Sequence, residues 1–227
     1  MNELCARNVS FGYDSAQPLL KDINLTVRTG EIVTILGGNA SGKTTLLRIL
    51  AGLLTPAGGK VLIKSENGTE LLTRGRAGIV FQNPDHQMIA STVEEELALG
   101  LEMRGMPPEQ MRPLIESMLE NFFLQGLRHR PPEALSGGQK QRVALASVMI
   151  SKPDFMLFDE PDSFLDAASR RDLMNGIEQI RPICGIVWAT PMPRRLPVSD
   201  RYYRLLDGQL AETGEHELKS LIVHRAA

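Results

Sequence analysis

Glu31-Ile32-Val33-Thr34-Ile35-Leu36-Gly37-Gly38-Asn39-Ala40-Ser41-Gly42-Lys43-Thr44-Thr45 passes from a short apolar strand through a glycine-rich turn into the start of a helix. From Gly37 to Thr44 the turn carries the spacing G-x-x-x-x-G-K-[ST] of a phosphate loop, and the flanking strand and helix are the context that pattern requires. Small residues at Gly37, Gly38, Asn39, Ala40, Ser41 and Gly42 let backbone N–H groups close around an anion, and the helix N-terminus adds positive potential. Lys43 is placed to reach the β- and γ-phosphates of a nucleotide. The Thr44 hydroxyl is placed to meet Mg²⁺, and Thr45 is the next candidate binding residue. Such a strand–loop–helix unit belongs to an α/β fold.

Outward from this unit the pattern stays mixed. Leu4 to Phe11 and Leu19 to Val27 read as strands around a turn with Gly12 and Asp14. The helix is expected to run from Lys43 to Leu54, ended by Pro56, Gly58 and Gly59. Val61 to Lys64 and Glu70 to Leu72 read as a hairpin about Asn67-Gly68, and Gly78 to Phe81 as a further strand. From Ser91 to Leu127 the period becomes helical, with Thr92 capping a helix that begins Val93-Glu94-Glu95. Pro107-Pro108 breaks it, and a second helix carries Met111, Leu114, Ile115, Met118, Leu119 and Phe122. The methionines there read as core filler. Another helix follows Gln139. Phe155 to Phe158 reads as a buried strand, Leu173 to Ile180 as an amphipathic helix, and Ile183 to Ala189 as a strand. Tyr202 to Leu206 pairs with Gln209 to Thr213 across Asp207-Gly208, and a short helix closes the chain. Alternating strands and helices predict a mainly parallel sheet, and the early hairpins an antiparallel part.

A chain of 227 residues with 42% hydrophobic residues supports one sizeable α/β domain with a real core. The net charge of −2 and the lack of a Lys/Arg run argue against a nucleic-acid binder. Cys5 and Cys184 lie too far apart in sequence for a zinc spacing, and Cys184 reads as a buried small hydrophobe in a reducing cytosol. Met1 to Ser10 has no apolar signal core, and no apolar stretch approaches the ~18 residues of a membrane span. Any membrane role is therefore expected through a partner.

Phe155-Met156-Leu157-Phe158-Asp159-Glu160 ends an apolar strand in two acids, at the carboxyl edge where open α/β sheets bind ligands. Asp159 suits the Mg²⁺ shell, and Glu160 is placed to polarise an attacking water. Leu135-Ser136-Gly137-Gly138-Gln139, followed by Lys140-Gln141-Arg142, puts Ser136 and two glycines at a helix start. That makes an anion site, and equally a capped turn.

This last sequence resembles the signature of ABC ATPases, and the likeness covers essentially the whole chain. It implies a P-loop NTPase (RecA-like) core with an antiparallel β subdomain and an α-helical signature subdomain. The helical part is inserted at about residues 83–150 of a single domain, 1–227. It further implies ATP and Mg²⁺ as cofactors, with Lys43, Gln82 and Glu160 catalytic and Thr44, Gln82 and Asp159 at the metal. Tyr13 would stack on adenine. Ser136, Gly137, Gly138 and Gln139 would meet the γ-phosphate held by a second ABC ATPase subunit, of the same or a different chain. Ser163-Phe164-Leu165-Asp166 resembles the D-loop that crosses such a dimer. The implied partner is a transmembrane transporter subunit. Gln82 would relay motion to it, and the Gln82 loop with residues 91–127 would form the docking surface, presenting Met88 and Leu101. The implied location is cytoplasmic, peripheral on the inner face of the membrane.

Phe81-Gln82-Asn83-Pro84-Asp85-His86-Gln87, continued by Thr92-Val93-Glu94-Glu95-Glu96, resembles the ATPases of energy-coupling-factor and cobalt-type importers. His86 itself reads as a solvated loop residue. Two positions depart from the family. Pro191 stands where the family has a switch histidine, and Ala40 replaces a usual glycine, a change the general loop motif tolerates. Two other readings stay open: a soluble ABC protein of translation or DNA repair, and a nucleotide-binding scaffold whose own site is weak.

Overall fold

The computed structural model describes residues 1–14, 17–163, 165, 167–191, 198–214 and 218. The expected terminal helix lies outside these residues, apart from the buried Leu218, and so do Phe164 and Asp166 of the D-loop-like run. The chain divides into two compact units: Met1–Ile79 with Asp154–Glu160 and Gln179–Ala227, and Val80–Pro153 with Pro161–Glu178.

The first unit is built on two sheets. Strands β1 (Glu3–Phe11), β2 (Leu20–Arg28), β4 (Gly58–Lys64) and β5 (Glu70–Leu71) form an antiparallel sheet in the order β2-β1-β4-β5. On β2 the inward residues are Leu20, Ile23, Leu25 and Val27. The step between Leu20 and Ile23 accompanies a register shift in the β1–β2 ladder and a positive φ at Asp22.

The second sheet joins β3 (Ile32–Leu36), β6 (Ala77–Val80), β7 (Phe155–Asp159), β8 (Gly185–Thr190), β9 (Arg201–Leu206) and β10 (Gln209–Thr213), in the order β10-β9-β3-β8-β7-β6. Strands β3, β7 and β8 are parallel neighbours, and β9 pairs parallel to β3. Every residue of β3, β7 and β8 is buried. Unbroken apolar runs suit strands covered on both faces, so they show no period-two alternation. Helix α1 (Lys43–Leu50) turns Leu46, Leu47, Ile49 and Leu50 into the core of this unit, beside Ile35, Leu157 and Val187.

Helix α1 ends earlier than the sequence predicts. Ala51 is its cap, and Gly52 follows with φ +72, the left-handed stop that glycine allows. Gly58 and Gly59 therefore do not end a helix; they open β4. A Cβ on Gly59 would lie 2.3 Å from the Arg7 carbonyl, so only glycine lets the two strands approach there.

The second unit is helical: α2 (Val93–Glu102), α3 (Pro108–Asn121), α4 (Gly137–Met149) and most of α5 (Ala167–Ile180). Thr92 caps α2 as expected, its hydroxyl accepting from the Glu95 N–H at 3.2 Å. Val93, Leu97, Leu101, Met111, Ile115, Leu119 and Val143 form the unit's core, with Met88, Met106 and Met118 packed against it. Most of these methionines fill core space, whereas Met103 is exposed. Leu101 belongs to this core and cannot present a docking surface. Ile89, Met103 and Phe123 are exposed apolar side chains on the stretch after Gln82. Cys5 and Cys184 are both buried. Among the described residues no helix is long and apolar enough to cross a membrane.

Candidate functional site

In the first unit the loop Gly37–Gly42 joins β3 to α1, with Gly38, Asn39 and Ala40 exposed at its crest. The Gly37 N–H donates to the Thr190 carbonyl at 3.3 Å, which ties the loop to the end of β8. Ala40 has φ +60, a left-handed conformation where an L side chain carries strain that glycine lacks. The exchange is therefore less neutral than the motif alone implies. Ala40→Gly is expected to stabilise the nucleotide-free fold by about 1 kcal/mol, seen as a higher Tm. The Ser41 hydroxyl is buried and has no hydrogen-bond partner among the described residues, an orphaned polar atom of the kind a ligand can satisfy.

Lys43 is 5% exposed, and its Nζ donates to the Gly37 and Gly38 carbonyls at 2.9 and 3.0 Å. The same ammonium lies 3.3 Å from a Glu160 carboxylate oxygen. The Thr44 hydroxyl donates to Asp159 Oδ2 at 2.7 Å. Thr45 is buried, and its hydroxyl is 3.2 Å from the Tyr13 hydroxyl. The Tyr13 ring is 69% exposed and stands edge-on to Phe11. An aromatic ring is thus tethered to the helix that follows the loop, with most of its surface open for stacking.

Asp159 ends β7, and Glu160 follows at φ +48 with its N–H donating to the Ala189 carbonyl at 2.8 Å. Strain of this kind persists where the surrounding structure holds it, and here β8 does so. Thr44 Oγ1 and Asp159 Oδ2 are hard oxygens in contact. One or two such ligands plus substrate phosphates are what Mg²⁺ takes, so the donor set fits that ion. The described residues hold no cluster of three or more His, Cys, Asp or Glu that could bind a metal by themselves.

Burial pushes the Asp159 carboxyl above the ordinary aspartate range; Glu160 adds to the rise, while Thr44, Lys43 and Arg48 oppose it. A raised acid binds its proton more tightly folded than unfolded. Its contribution to stability is therefore present at low pH and lost as pH rises from the usual aspartate pKa through the folded one. Asp159→Asn should raise Tm of the nucleotide-free protein at neutral pH, by about 2–4 °C per kcal/mol recovered. The gap from wild type should close as pH falls toward the ordinary aspartate range. A Tm below wild type at neutral pH would show that the charge is not a burial penalty.

Gln82 and Ser136 to Gln139 belong to the second unit. Ser136 caps α4 in a capping box: its hydroxyl accepts from the Gln139 N–H at 3.4 Å, and Gln139 Oε1 accepts from the Ser136 N–H at 2.9 Å. The helix thus begins at Gly137, directly after Ser136 and three residues before Lys140. The S-x-x-Q spacing carried that signal. Leu135 is buried and anchors the turn, while Ser136 and Gly137 are exposed at the positive end of α4. Gln82, Asp85, Gly137, Lys140, Gln141 and Leu165 are among the residues lining a cavity of about 280 Å³.

A phosphate loop between a buried parallel strand and a helix, with two acids at the end of a strand of the same sheet, defines a P-loop NTPase. Comparison places it further: residues 20–163 match the ABC transporter family model. The chain belongs to that family, as one of its ATP-binding subunits, and is an ATPase. An energy-coupling factor transporter ATP-binding protein of Halalkalibacterium halodurans is 42% identical over 182 residues, covering 78% of this chain and 66% of that protein. A protein of the same description from Caldanaerobacter subterraneus is 38% identical, covering 92% and 79%. Among solved structures, cbiO1 from Clostridium perfringens, described as part of the ABC transporter complex cbiONQ, superposes with a TM-score of 0.79. It is 27% identical, over 98% of this chain and 91% of that one.

Proposed function

We propose that this chain is the ATP-hydrolysing subunit of a membrane importer of the energy-coupling-factor type, peripheral on the cytoplasmic face and held there by a transmembrane subunit. The observation that carries the reading is the meeting of Lys43 and Thr44, at the start of α1, with Asp159 and Glu160, at the end of β7. Lys43 draws the β- and γ-phosphates. Thr44 and Asp159 would hold Mg²⁺, and Glu160 would take the proton of the water that attacks the γ-phosphorus as ADP leaves. Bound Mg²⁺ would neutralise phosphate charge as the bond to the γ-phosphate breaks. Tyr13 stacks on adenine. In a dimer, Ser136 to Gln139 complete the site of the opposite ATPase subunit, and Gln82 links the nucleotide to the membrane partner. The single-domain organisation with a helical insert at about 83–150 belongs to the same proposal. Cysteine crosslinking tests the docking face: a thiol placed at Met88 or Ile89 should capture the membrane subunit, and capture only from elsewhere on the chain would move the interface.

Pro191 favours a second reading within this one. It directly follows Thr190, whose carbonyl holds Gly37, so it stands next to the phosphate loop. Proline has no side-chain donor and no N–H. A switch hydrogen bond of the kind it replaces contributes on the order of 10²–10³ in rate. The chain then serves as the slower half of a heterodimer, its intact Ser136–Gln139 turn completing a partner's site. The homodimer should hydrolyse ATP slowly, with Pro191→His raising the rate. Fast wild-type turnover unaffected by this exchange would remove the need for a second, different subunit.

A further inference from the structure

Residues 81–91 are held by side chains whose contacts the sequence runs above do not specify. The Phe81 N–H donates to Gln87 Oε1 at 3.3 Å, and Gln87 Nε2 donates to the Ala144 carbonyl at 3.3 Å. One amide thus joins the residue just before Gln82 to the middle of α4. A second tie lies beside it, where Lys140 Nζ meets Asp85 Oδ1 at 2.5 Å, one residue after Gln139. Between these ties the loop is closed on itself. Asn83 Oδ1 accepts from the Asp85 N–H at 3.0 Å, and the Gln87 and Met88 N–H groups donate to the Pro84 carbonyl at 3.0 and 3.2 Å. Downstream, the buried Glu96 carboxylate accepts from the Ile89 and Ala90 N–H groups, both at 2.9 Å, and Glu95 accepts from Ser91 at 3.1 Å.

A segment whose backbone donors are satisfied in this way is pre-organised, and it moves as a piece or not at all. We propose that Gln87 and the Asp85–Lys140 pair are positioning residues that lock the Gln82 loop to the helix opening at Ser136, so that a displacement of α4 carries Gln82 with it. The ties are paired for a physical reason. The amide fixes the loop's approach to the third turn of α4, and the ion pair fixes it to the first. Together they prevent the rotation that either alone would allow. The catalytic consequence rests on the proposed roles of Gln82 and Ser136–Gln139; the mechanical tie does not.

Two readouts separate these claims. Hydrogen–deuterium exchange of the full-length chain reads the tie directly. Gln87→Ala, which removes both amide bonds, should raise exchange in residues 81–91 and in α4 together. Steady-state hydrolysis of Mg-ATP, with equilibrium ATP titration, reads the consequence. Gln87→Ala should lower kcat by about tenfold, the worth of one or two hydrogen bonds, with ATP affinity unchanged. The double exchange Asp85→Lys with Lys140→Asp should recover most of the kcat that either single exchange loses, which a merely structural loss would not do. Faster exchange confined to residues 81–91, with α4 unaltered, would overturn the tie. Coupled exchange with an unchanged kcat would keep the tie and overturn its role in hydrolysis. Coupled exchange in Gln87→Ala, beside a wild-type chain that shows no hydrolysis, would leave the tie standing and count against the proposed function.

Discussion

Glu160→Gln is expected to cut Mg-ATP turnover by about 10²–10⁴-fold, the usual worth of a positioned general base, while ATP still binds. The amide keeps the size and the hydrogen-bonding reach of the carboxylate but is a poor base. The backbone around it should not move, because Glu160 is held at φ +48 by its N–H bond to the Ala189 carbonyl, a contact indifferent to the side chain. Losing the negative charge beside Lys43 also removes an ion pair that competes with phosphate for the ammonium. ATP affinity should hold or rise, and an ATP-bound dimer should live longer. Single-turnover phosphate release, measured beside ATP titration, checks both halves. A wild-type rate in the variant would take Glu160 out of the mechanism.

Lys43→Ala is the second large effect. A charge-assisted hydrogen bond contributes about 1.5–3 kcal/mol, so losing the lysine proposed to draw the phosphates should weaken ATP binding by roughly ten- to a hundredfold. The sequence alone predicts an unaltered Tm for this variant without nucleotide, since the side chain would point into the ligand space. The structure changes that expectation. Lys43 is buried, bridges the Gly37 and Gly38 carbonyls and lies beside Glu160. Truncation should therefore lower Tm as well. Circular dichroism must show the variant folded for the binding loss to count, and near-normal affinity in that folded variant would sink the phosphate-loop assignment.

The sheet was legible wherever a strand carried its own signal. Asp207-Gly208 placed the β9–β10 hairpin to the residue, and the apolar runs of β3, β7 and β8 marked the buried parallel strands. Boundaries failed where tertiary contact overrode local propensity. Gly58 and Gly59 look like helix stops, yet they serve a close strand approach that only the β1–β4 pairing creates. Leu101 looked like surface because helical period alone does not say which face is covered. At the candidate site, residue types at fixed spacing single out Lys43, Thr44, Asp159 and Glu160, but not their mutual contacts. The Thr44–Asp159 bond joins residues 115 positions apart, beyond the reach of any local pattern. Gln87 and Glu96 stand in the runs that resemble importer ATPases, but that likeness does not say which backbone groups each side chain holds.

In the proposed function the loop from Gly37 to Thr44, with Asp159, forms one Mg-ATP site on this chain. Isothermal titration of the purified protein with ATP, in Mg²⁺ and again in EDTA, tests it most directly. The predicted result is one ATP per chain, bound more tightly with Mg²⁺, with the Mg²⁺ advantage lost in Asp159→Asn. No binding, or binding indifferent both to Mg²⁺ and to Asp159→Asn, would contradict it.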